Sequence, residues 1–289
     1  MNIAIIGGSG SMGRWLGRFL KEEGKEVTLI GRSESKVARA ADELGVTYST
    51  DIADTQKADA IIISVPIDHF ESTVEQLSAY TRPEQIIMDI TSIKVKPVAA
   101  MHKYIKKGRV LGTHPVFGPG ARSITNHHIV LTPTNEDEAE LARTTKMFLE
   151  KRGAGIMIMT PEKHDEMMAV ILGLAHFIAI VSADTLVSID GLKKMETVSG
   201  VTFKVLLTLV ESVLSEDPQL YASLQMNLPH LPEIQATFQK SSQQWASIVK
   251  SGDREQFINR MNDLKKRLEA GNPDFGKAYD NMYKLADWL

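Results

Sequence analysis

Short apolar runs alternate with helix-period segments through the first half of the chain. The apolar runs predict strands at Asn2–Ile6, Glu26–Ile30, Ala60–Val65, Gln85–Asp89, Arg109–Gly112 and His128–Thr132. Between them, helical periodicity predicts helices at Met12–Glu23, Glu34–Leu44, Phe70–Tyr80 and Val95–Lys106. Because the strands are apolar along nearly their whole length, both faces must be covered. The alternation therefore predicts an α/β domain with a doubly wound parallel sheet.

The pattern changes after Met159, and no further strand is predicted. Thr160 and Pro161 suit the N-cap and the first position of a helix. The helix predicted over Glu166–Val187 is apolar nearly all round, so it must be buried within its domain or against another subunit. The sequence thus predicts two domains, an α/β domain over 1–160 and an all-α domain over 161–289.

Composition narrows the class of protein. The chain has 289 residues, 43% apolar and 24% charged, as in ordinary globular proteins, and a net charge of −3 gives no reason to expect nucleic acid or an anionic membrane as partner. The absence of cysteine excludes disulfides, a thiol nucleophile and a cysteine-ligated metal. With no signal-peptide pattern and no run of about 18 apolar residues evident, a cytoplasmic protein without a membrane span is expected.

A glycine-rich loop lies between the first predicted strand and the first predicted helix. Its sequence, Gly8-Ser9-Gly10-Ser11-Met12-Gly13, matches G-x-G-x-x-G. Glycines at these positions permit a tight turn and let the backbone approach a pyrophosphate at the helix N-terminus. This context predicts a Rossmann-type dinucleotide-binding domain. A glycine-rich turn without a ligand is the alternative.

The segment after the second predicted strand bears on the choice of cofactor. The dinucleotide pattern has an acid there for the ribose 2′-hydroxyl, whereas this chain has Gly31-Arg32-Ser33. An arginine and a hydroxyl suit a 2′-phosphate, and Lys36 adds positive charge, so NADP is expected in preference to NAD. Nothing in this loop forbids NAD, and a solvated loop residue is the alternative for Arg32. Val65 and Pro66, after the third strand, are also expected to contact the cofactor.

Further polar and glycine-rich segments lie in loops expected after strands, where an open parallel sheet binds its ligands. They are Thr91–Lys94, Gly112–Gly120 and His164–Ala169. The second is dense in glycine and proline around one histidine, so a stiff loop is expected to hold the His114 imidazole in place. Most other histidines are expected to be structural, namely His69, His102, His127, His128 and His230.

Together these segments resemble the prephenate dehydrogenase family over nearly the whole chain. The motifs are the glycine loop, the serine–lysine loop, G-T-H-P-x-F-G-P, the H-D-x-x-M-A helix start, Gly173–Phe177 and Asp217–Tyr221. The resemblance implies oxidative decarboxylation of prephenate to 4-hydroxyphenylpyruvate in tyrosine biosynthesis, with hydride transfer to the nicotinamide. It also implies an all-α C-terminal dimerisation domain, a homodimer, and an active site in the cleft between the domains.

The resemblance assigns catalytic roles to His114 and Ser92. It implies that His114 hydrogen-bonds the ring hydroxyl of the substrate, and a histidine base suits removal of that proton as hydride leaves the same carbon. Ser92 corresponds to a serine that assists at this hydroxyl. A helix N-cap before Lys94 is an equal alternative for Ser92, and both roles could hold at once.

Other polar residues are expected near the substrate. The resemblance places His164 and Asp165 near the cleft, where Asp165 would orient a neighbour or bind a cationic side chain. A first-turn acid favoured by the helix dipole is the alternative for Asp165. His176, on the apolar face of the following helix, either lines the substrate pocket or is a core histidine with its hydrogen bonds satisfied.

The chain departs from the family at the expected partner of the substrate carboxylates. Prephenate carries two carboxylates, which call for cations. Related proteins often have an arginine in the helix before the D-P-Q-L-Y segment, where this chain has Phe203-Lys204-Val205. Lys204 is therefore the first candidate and Arg122 the second. The missing arginine leaves arogenate, the amino analogue, open as the substrate.

Two other functions remain open. A hydroxyacid dehydrogenase or imine reductase of the same architecture would place a catalytic lysine in the helical domain, where Lys193, Lys194 and Lys204 are available. A non-enzymatic NADP-binding regulator would need the glycine loop but not His114 and Ser92. No H-E-x-x-H motif or carboxylate–histidine cluster predicts a metal site.

Overall fold

The computed structural model of the chain describes residues 1–287 and separates into two compact units. The first unit consists of Met1–Met168 with Met226–Leu228. The second consists of Ala169–Gln225 and the described residues from Pro229 onward. Within the described chain, all strands belong to the first unit and the second unit is helical.

The first unit is built on one eight-stranded sheet. Its strands are β1 (Asn2–Ile6), β2 (Glu26–Ile30), β3 (Thr47–Ser49), β4 (Ala60–Ile63), β5 (Ile86–Asp89), β6 (Arg109–Pro115), β7 (His128–Thr132) and β8 (Gly155–Ile158). Their order across the sheet is β3-β2-β1-β4-β5-β6-β7-β8. Neighbouring strands are parallel except β6 and β7, which are antiparallel.

The predicted α/β class is confirmed, but the prediction of a wholly parallel sheet is wrong at one end. The connection between β6 and β7 contains no helix. A parallel return needs a crossover connection, usually a helix, whereas an antiparallel return needs only a loop. The chain therefore turns back after β6, and β8 runs parallel to the reversed β7.

Strand bounds follow the predictions where the apolar run is long and buried. β1, β2 and β7 have their predicted bounds, while β4 ends at Ile63 and β6 extends to Pro115. β3 and β8 were not predicted. β3 has three residues at the sheet edge, and the last residues of β8 are exposed, so neither forms a buried apolar run.

The long segment of the first unit, Met1–Met168, also contains six α-helices and a 3₁₀ turn at Ile52–Lys57. They are α1 (Ser11–Glu22), α2 (Glu34–Leu44), α3 (Ile67–Ser78), α4 (Val95–Tyr104), α5 (Glu136–Glu150) and α6 (Pro161–Met168). α5 was not predicted, because charged residues interrupt its apolar face. Its N-cap is Asn135, whose side chain accepts a hydrogen bond from the Glu138 amide at 3.0 Å.

The strands bury apolar side chains on both faces of the sheet, as expected for a doubly wound fold. On one face, Ile5 and Leu29 pack with residues of α1, α2 and α5. On the other, Ile61 and Ile63 pack with residues of α3 and α4. These four strand side chains are fully buried, so the sheet and the loops at its ends rest on a tightly packed core.

The second unit contains helices and no strand within its described residues, as the sequence predicted. A π-helical segment, Ala169–Leu174, comes first. The α-helices are α7 (Ala175–Val187), α8 (Leu192–Thr197), α9 (Val201–Leu214), α10 (Pro218–Asn227, ending in the first unit), α11 (Leu231–Ser251), α12 (Arg254–Gly271) and α13 (Ala278–Ala286), with a 3₁₀ turn at Phe275–Lys277. The π-helical turns interrupt what the sequence predicted as a uniform helix, and the Gly173 carbonyl there accepts a hydrogen bond from Gln225 Nε2 at 2.9 Å.

The helical span Pro161–Val187 is long and apolar enough to cross a membrane by length and composition alone. The expectation that no such stretch exists is therefore wrong. Only 11% of its most apolar window is buried. Its exposed apolar side chains include Val170, Ile171, Val181 and Val187. A single helix of this kind is weak evidence for a membrane, because helices that pack in soluble proteins have the same composition.

Candidate active site

The glycine loop connects β1 to α1 in a tight turn. The amides of Gly7 and Gly8 both donate to the Ile30 carbonyl, at 2.9 and 3.2 Å, and the Gly10 amide donates to the Gly7 carbonyl at 3.0 Å. Gly7 has a φ of 81°, which side-chain-bearing residues rarely adopt. α1 then begins at Ser11 with Gly10 as its N-cap and with no acid in its first turn. The loop therefore presents a helix N-terminus with free backbone amides.

The space around the loop fits a pyrophosphate. A Cβ on Gly13 would lie 2.5 Å from the Gly7 carbonyl oxygen, so only glycine lets the helix pack this closely against the turn. A Cβ on Gly10 would meet only the Gly7 carbonyl oxygen, at 3.3 Å. The loop is thus packed tightly on its inner side and open at Gly10, where a phosphate group would lie against the amides of α1.

The other expected cofactor residues lie around this loop. A Cβ on Gly31 would lie 3.7 Å from Ser9 Oγ, so the segment after β2 is adjacent to the glycine loop. The neighbouring Arg32, Ser33 and Lys36 are all exposed. Ser33 is the N-cap residue of α2, but its hydroxyl lies 3.3 Å from Ser35 Oγ and makes no side-chain capping bond.

Val65 and Pro66 follow β4 at the same edge of the sheet. Val65 Cγ1 would lie 3.1 Å from a Cβ on Gly7, and Pro66 is the N-cap residue of α3. Because β1, β2 and β4 are mutually parallel in register, their carboxyl ends meet at one edge. The structure therefore brings the predicted cofactor residues together there.

His114 lies at the carboxyl end of β6. The expectation that it belongs to a stiff loop is wrong, because Gly112–Pro115 pairs with β7 as part of the strand. The residue is 4% exposed, and Nδ1 of its ring lies 2.8 Å from Nε2 of His164. His164 Nδ1 in turn lies 2.7 Å from Asp165 Oδ1. A chain of three buried side chains therefore runs from Asp165 through His164 to His114.

Asp165 also caps α4. Its carboxylate accepts hydrogen bonds from the Lys94 amide at 2.6 Å and from the Val95 amide at 2.9 Å. The alternative of an acid serving the first turn of its own helix is therefore wrong. The alternative of Ser92 as the N-cap is also wrong, because Lys94 occupies that position. Ser92 is half-buried, two residues before Lys94.

A buried ion pair beside His114 was missed by sequence reasoning. Lys94 and Asp89 are fully buried, and Lys94 Nζ bonds the Asp89 carboxylate and donates to the Thr113 carbonyl at 2.6 Å. Asp89 also accepts hydrogen bonds from the Thr91 amide at 3.0 Å and from the Thr113 amide at 3.2 Å. The signal in the sequence was an acid ending an apolar buried strand, with a lysine in the following loop.

This lysine passes close to the strand that carries His114. A Cβ on Gly112 would lie 2.3 Å from Thr132 Oγ1, 2.7 Å from Val98 Cγ2 and 3.5 Å from Lys94 Cδ. Gly112 therefore leaves the room that Thr132 and Val98 occupy, while the Lys94 stem would be at ordinary van der Waals distance. Burial lowers the pKa of Lys94, and the charge and hydrogen bond of Asp89 act in the opposite direction.

The surroundings of His114 favour a neutral ring. Burial holds the pKa of His114 well below its ordinary value, and the charge of Lys94 lowers it further. Among residues 1–287, no group forms a hydrogen bond with Nε2 of His114. A neutral imidazole with one engaged nitrogen and one free nitrogen can accept a proton.

The expected substrate-binding residues are not all in this cluster. Arg122 is exposed in the first unit, and Lys204 is exposed on α9 of the second unit. His176, also in the second unit, meets Tyr221 edge-on at a ring-centroid distance of 4.9 Å. Its Nδ1 is buried without a hydrogen-bond partner among the described residues, and burial lowers its pKa. The alternative of a core histidine with satisfied hydrogen bonds is therefore wrong.

Two family models together match most of the chain. The nucleotide-binding domain of prephenate dehydrogenase matches residues 16–158, and the dimerization domain of prephenate dehydrogenase matches residues 160–263. The chain belongs to the prephenate dehydrogenase family. The resemblance seen in the sequence motifs is therefore confirmed.

Relatives in this family are similar over nearly the whole chain. A Methanocaldococcus jannaschii protein described as "Probable arogenate/prephenate dehydrogenase" is 34% identical over 272 residues, covering 93% of this chain and 61% of the relative. The T-protein of Enterobacter agglomerans is 30% identical over 286 residues, covering 96% of this chain and 69% of the relative. The chain thus spans 61% and 69% of the length of these two relatives.

Solved structures show the same fold. Prephenate dehydrogenase from Aquifex aeolicus, in complex with hydroxyphenyl propionate and NAD⁺, superimposes with a TM-score of 0.77 at 22% identity, covering 93% of this chain and 98% of that one. Synechocystis arogenate dehydrogenase superimposes with a TM-score of 0.71 at 20% identity, covering 94% of this chain and 100% of that one. The fold of the family is therefore shared by this chain.

Among the described residues, no group of three histidine or acidic side chains is arranged to hold a metal ion. The acid–histidine cluster at His114 instead consists of side chains engaged with one another and with backbone amides.

Proposed function

We propose that the protein is a prephenate dehydrogenase that converts prephenate to 4-hydroxyphenylpyruvate by oxidative decarboxylation, in tyrosine biosynthesis. One observation carries the proposal. A glycine loop that fits a dinucleotide follows β1, and a buried histidine with a free ring nitrogen ends β6, at the same edge of one sheet. This arrangement supports the proposal because a dinucleotide held at the glycine loop would extend along the edge at which His114 lies.

The nicotinamide dinucleotide would be held by the residues around the glycine loop. The amides of Ser11 and Met12 at the start of α1 are available to the pyrophosphate, and Val65 and Pro66 line the adjoining loop. When bound, this cofactor supplies the acceptor for the hydride from the ring carbon. Every other group in the reaction comes from the protein or the substrate.

His114 acts as the base. Its free Nε2 accepts the proton of the ring hydroxyl as the carbon–oxygen bond gains double-bond character. Ser92 gives a further hydrogen bond at the same hydroxyl. Loss of carbon dioxide then restores an aromatic ring, which draws the reaction forward. The buried position of His114 keeps the ring unprotonated before the reaction, as a base must be.

We propose NADP as the preferred cofactor. The exposed Arg32, Ser33 and Lys36 lie beside the glycine loop at the end of β2, where an NAD-selective site has an acid. Among the described residues, no side chain forms an ion pair with Arg32 or Lys36. Both cations are therefore available to a 2′-phosphate.

We propose Lys204 as the partner of a substrate carboxylate, with Arg122 second. Both are exposed, and neither forms an ion pair among the described residues. His164 and Asp165 support the base, while the unpartnered Nδ1 of His176 is available to a polar group of the substrate. Arogenate differs from prephenate by an amino group, so it is the alternative substrate.

We propose a homodimer formed through the helical unit, in the cytoplasm. The family model matched at 160–263 is a dimerization domain, and the exposed apolar side chains of Ala169–Val187 would be buried by a second copy of the chain. Burial in a dimer explains a helix of membrane-like composition without a membrane.

The test is an assay of cofactor reduction by absorbance, with prephenate, arogenate, NADP and NAD in every combination. We expect turnover with prephenate and NADP, slower turnover with NAD, and release of carbon dioxide equal to the reduced cofactor formed. If arogenate is turned over faster than prephenate, arogenate is the substrate. Turnover of simple hydroxyacids, with neither cyclohexadienyl substrate used, would contradict the proposal.

A further inference from the structure

We propose that Asp165 is a positioning residue that, through His164, fixes the tautomer of His114 so that Nε2 carries the lone pair. The same chain of hydrogen bonds shares the positive charge that His114 acquires when it takes a proton. The inference deepens the proposed function and rests on it for the identity of the proton donor. The tautomer itself is a property of the protein before substrate binds.

The first step concerns Asp165, which can only accept hydrogen bonds. Its two carboxylate oxygens face two backbone amides, those of Lys94 at 2.6 Å and Val95 at 2.9 Å. A backbone amide can only donate, so a proton on either carboxylate oxygen of Asp165 would face an amide hydrogen instead of an acceptor. The N-terminus of α4 also stabilises negative charge at this position. Asp165 is therefore ionised, and the His164 nitrogen beside it must carry a hydrogen.

The second step follows the hydrogen bonds outward. With Nδ1 of His164 donating to Asp165 Oδ1 at 2.7 Å, Nε2 of a neutral His164 carries a lone pair. That lone pair lies 2.8 Å from Nδ1 of His114, which must then be the protonated nitrogen. Nε2 of a neutral His114 is left as a lone pair. The carboxylate of Asp165, at one end of this hydrogen-bonded series, thus determines which nitrogen of His114 is the base at the other end.

The third step concerns the charge formed during the reaction. When the hydroxyl O–H bond breaks and an N–H bond forms at Nε2, His114 becomes an imidazolium ion in a buried site. Its Nδ1–H faces His164, whose other nitrogen faces the Asp165 carboxylate. The negative charge of Asp165 is thereby coupled to the new positive charge through a hydrogen-bonded ring. The Lys94 ammonium nearby is already paired with Asp89.

The same carboxylate links the base to the loop that carries Ser92. Asp165 holds the amides of Lys94 and Val95, directly after that loop. A single acid therefore sets the proton position on His114 and anchors the start of α4. An ordinary structural N-cap would explain the second contact but not the hydrogen bond to His164.

The decisive measurement is the tautomer of His114 in protein labelled with ¹⁵N-histidine, from two-bond proton–nitrogen correlations. We expect Nδ1–H on His114 in the wild type with cofactor bound and substrate absent. His164→Leu removes the acceptor, so we expect mixed tautomers on His114 and a loss of about 10- to 100-fold in kcat. His164→Gln restores an acceptor oxygen and should recover the Nδ1–H tautomer and part of kcat.

His128→Leu is the matched control, since it makes the same change at an exposed histidine of β7. It should alter neither the His114 tautomer nor kcat, and cofactor affinity in all three variants should stay within about twofold of wild type. An Nε2–H tautomer on wild-type His114, or unchanged tautomer and kcat in His164→Leu, would overturn the inference. A wild type that shows the Nδ1–H tautomer but oxidises no cyclohexadienyl substrate would overturn only the proposed function.

Discussion

The two halves of the candidate site lie at one edge of the same sheet but are built in different ways. Around His114, charged side chains are buried and each is held by several fixed partners. Around the glycine loop, the backbone forms the surface, and the cations after β2 are exposed and free of ion pairs within residues 1–287. The first region is complete without a ligand, whereas the second is a set of donors that a ligand would engage.

This difference has a physical basis. A base must have one protonation state and one orientation before the substrate arrives, and burial with fixed partners supplies both. Burial of charge is costly unless every group is paired, so Lys94, Asp89 and Asp165 each need their neighbours. A dinucleotide brings its own negative phosphates and a large contact surface, so its site needs only unpaired backbone amides and exposed cations. Substitutions should therefore be severe in the first region and moderate in the second.

The largest effect is expected from His114→Asn. Asparagine keeps a hydrogen-bonding group but is not a base, so kcat should fall by about 10²–10⁴-fold, while the Kd of NADP should barely change. Steady-state kinetics and cofactor titration measure the two quantities. A variant that keeps more than about a third of wild-type turnover would remove His114 as the base.

The next effect is on stability, from Lys94→Met. The substitution leaves the buried Asp89 carboxylate without its cation, which should lower the free energy of unfolding by about 3–5 kcal/mol in a urea titration. Lys57→Met is the control, because Lys57 pairs with Asp54 at 2.6 Å on the surface, where its side chain is 82% exposed. No measurable change is expected there. Equal losses of unfolding free energy in Lys94→Met and Lys57→Met would contradict the proposed difference between buried and exposed ion pairs.

A smaller effect is expected from Lys204→Met in the helical unit. If Lys204 binds a substrate carboxylate, kcat/KM for prephenate should fall by about 10- to 100-fold, mostly through KM, because an exposed charge is partly screened. Lys193→Met is a matched control in the same unit. An unchanged KM in folded Lys204→Met would redirect the search to Arg122.

The smallest effect is expected from Arg32→Ala in the cofactor region. The wild type should favour NADP over NAD by at least about tenfold in kcat/KM, and the variant should lose about that factor for NADP while sparing NAD. Arg39→Ala is the control, because Arg39 lies on α2, the helix that follows Arg32, and contacts Glu43. Equal use of both cofactors by the wild type, or equal losses in Arg32→Ala, would make Arg32 a solvated loop residue.

The sequence predicted most of the fold because the apolar runs and glycine positions report local structure directly. The glycine loop, β1, β2 and α2 needed no long-range information. The reversal at β7 was not predictable in the same way, since strand direction depends on the connection and not on the strand's own residues.

The cofactor half of the site was predictable because it follows local sequence, whereas the buried half depends on tertiary contacts. Asp165 caps a helix 70 residues away in sequence, as its bond to Val95 shows, and no local pattern predicts that pairing. Lys94 and Asp89 are close in sequence, but their burial and the bond of Lys94 to the Thr113 carbonyl come from the fold. His164 was identified as a site residue, but its position between Asp165 and His114 could come only from the fold.

Gly112 bears on how the family's motif should be interpreted in new sequences. The glycine of G-T-H-P has no role toward the substrate in the proposed reaction, yet a single methyl group there would collide with Thr132 and Val98. The glycine is therefore required by the packing of β6 against β7, which carries Thr132, and against α4, which carries Val98. In protein engineering, a larger residue at 112 would need smaller side chains at 98 and 132, whereas Lys94 could stay.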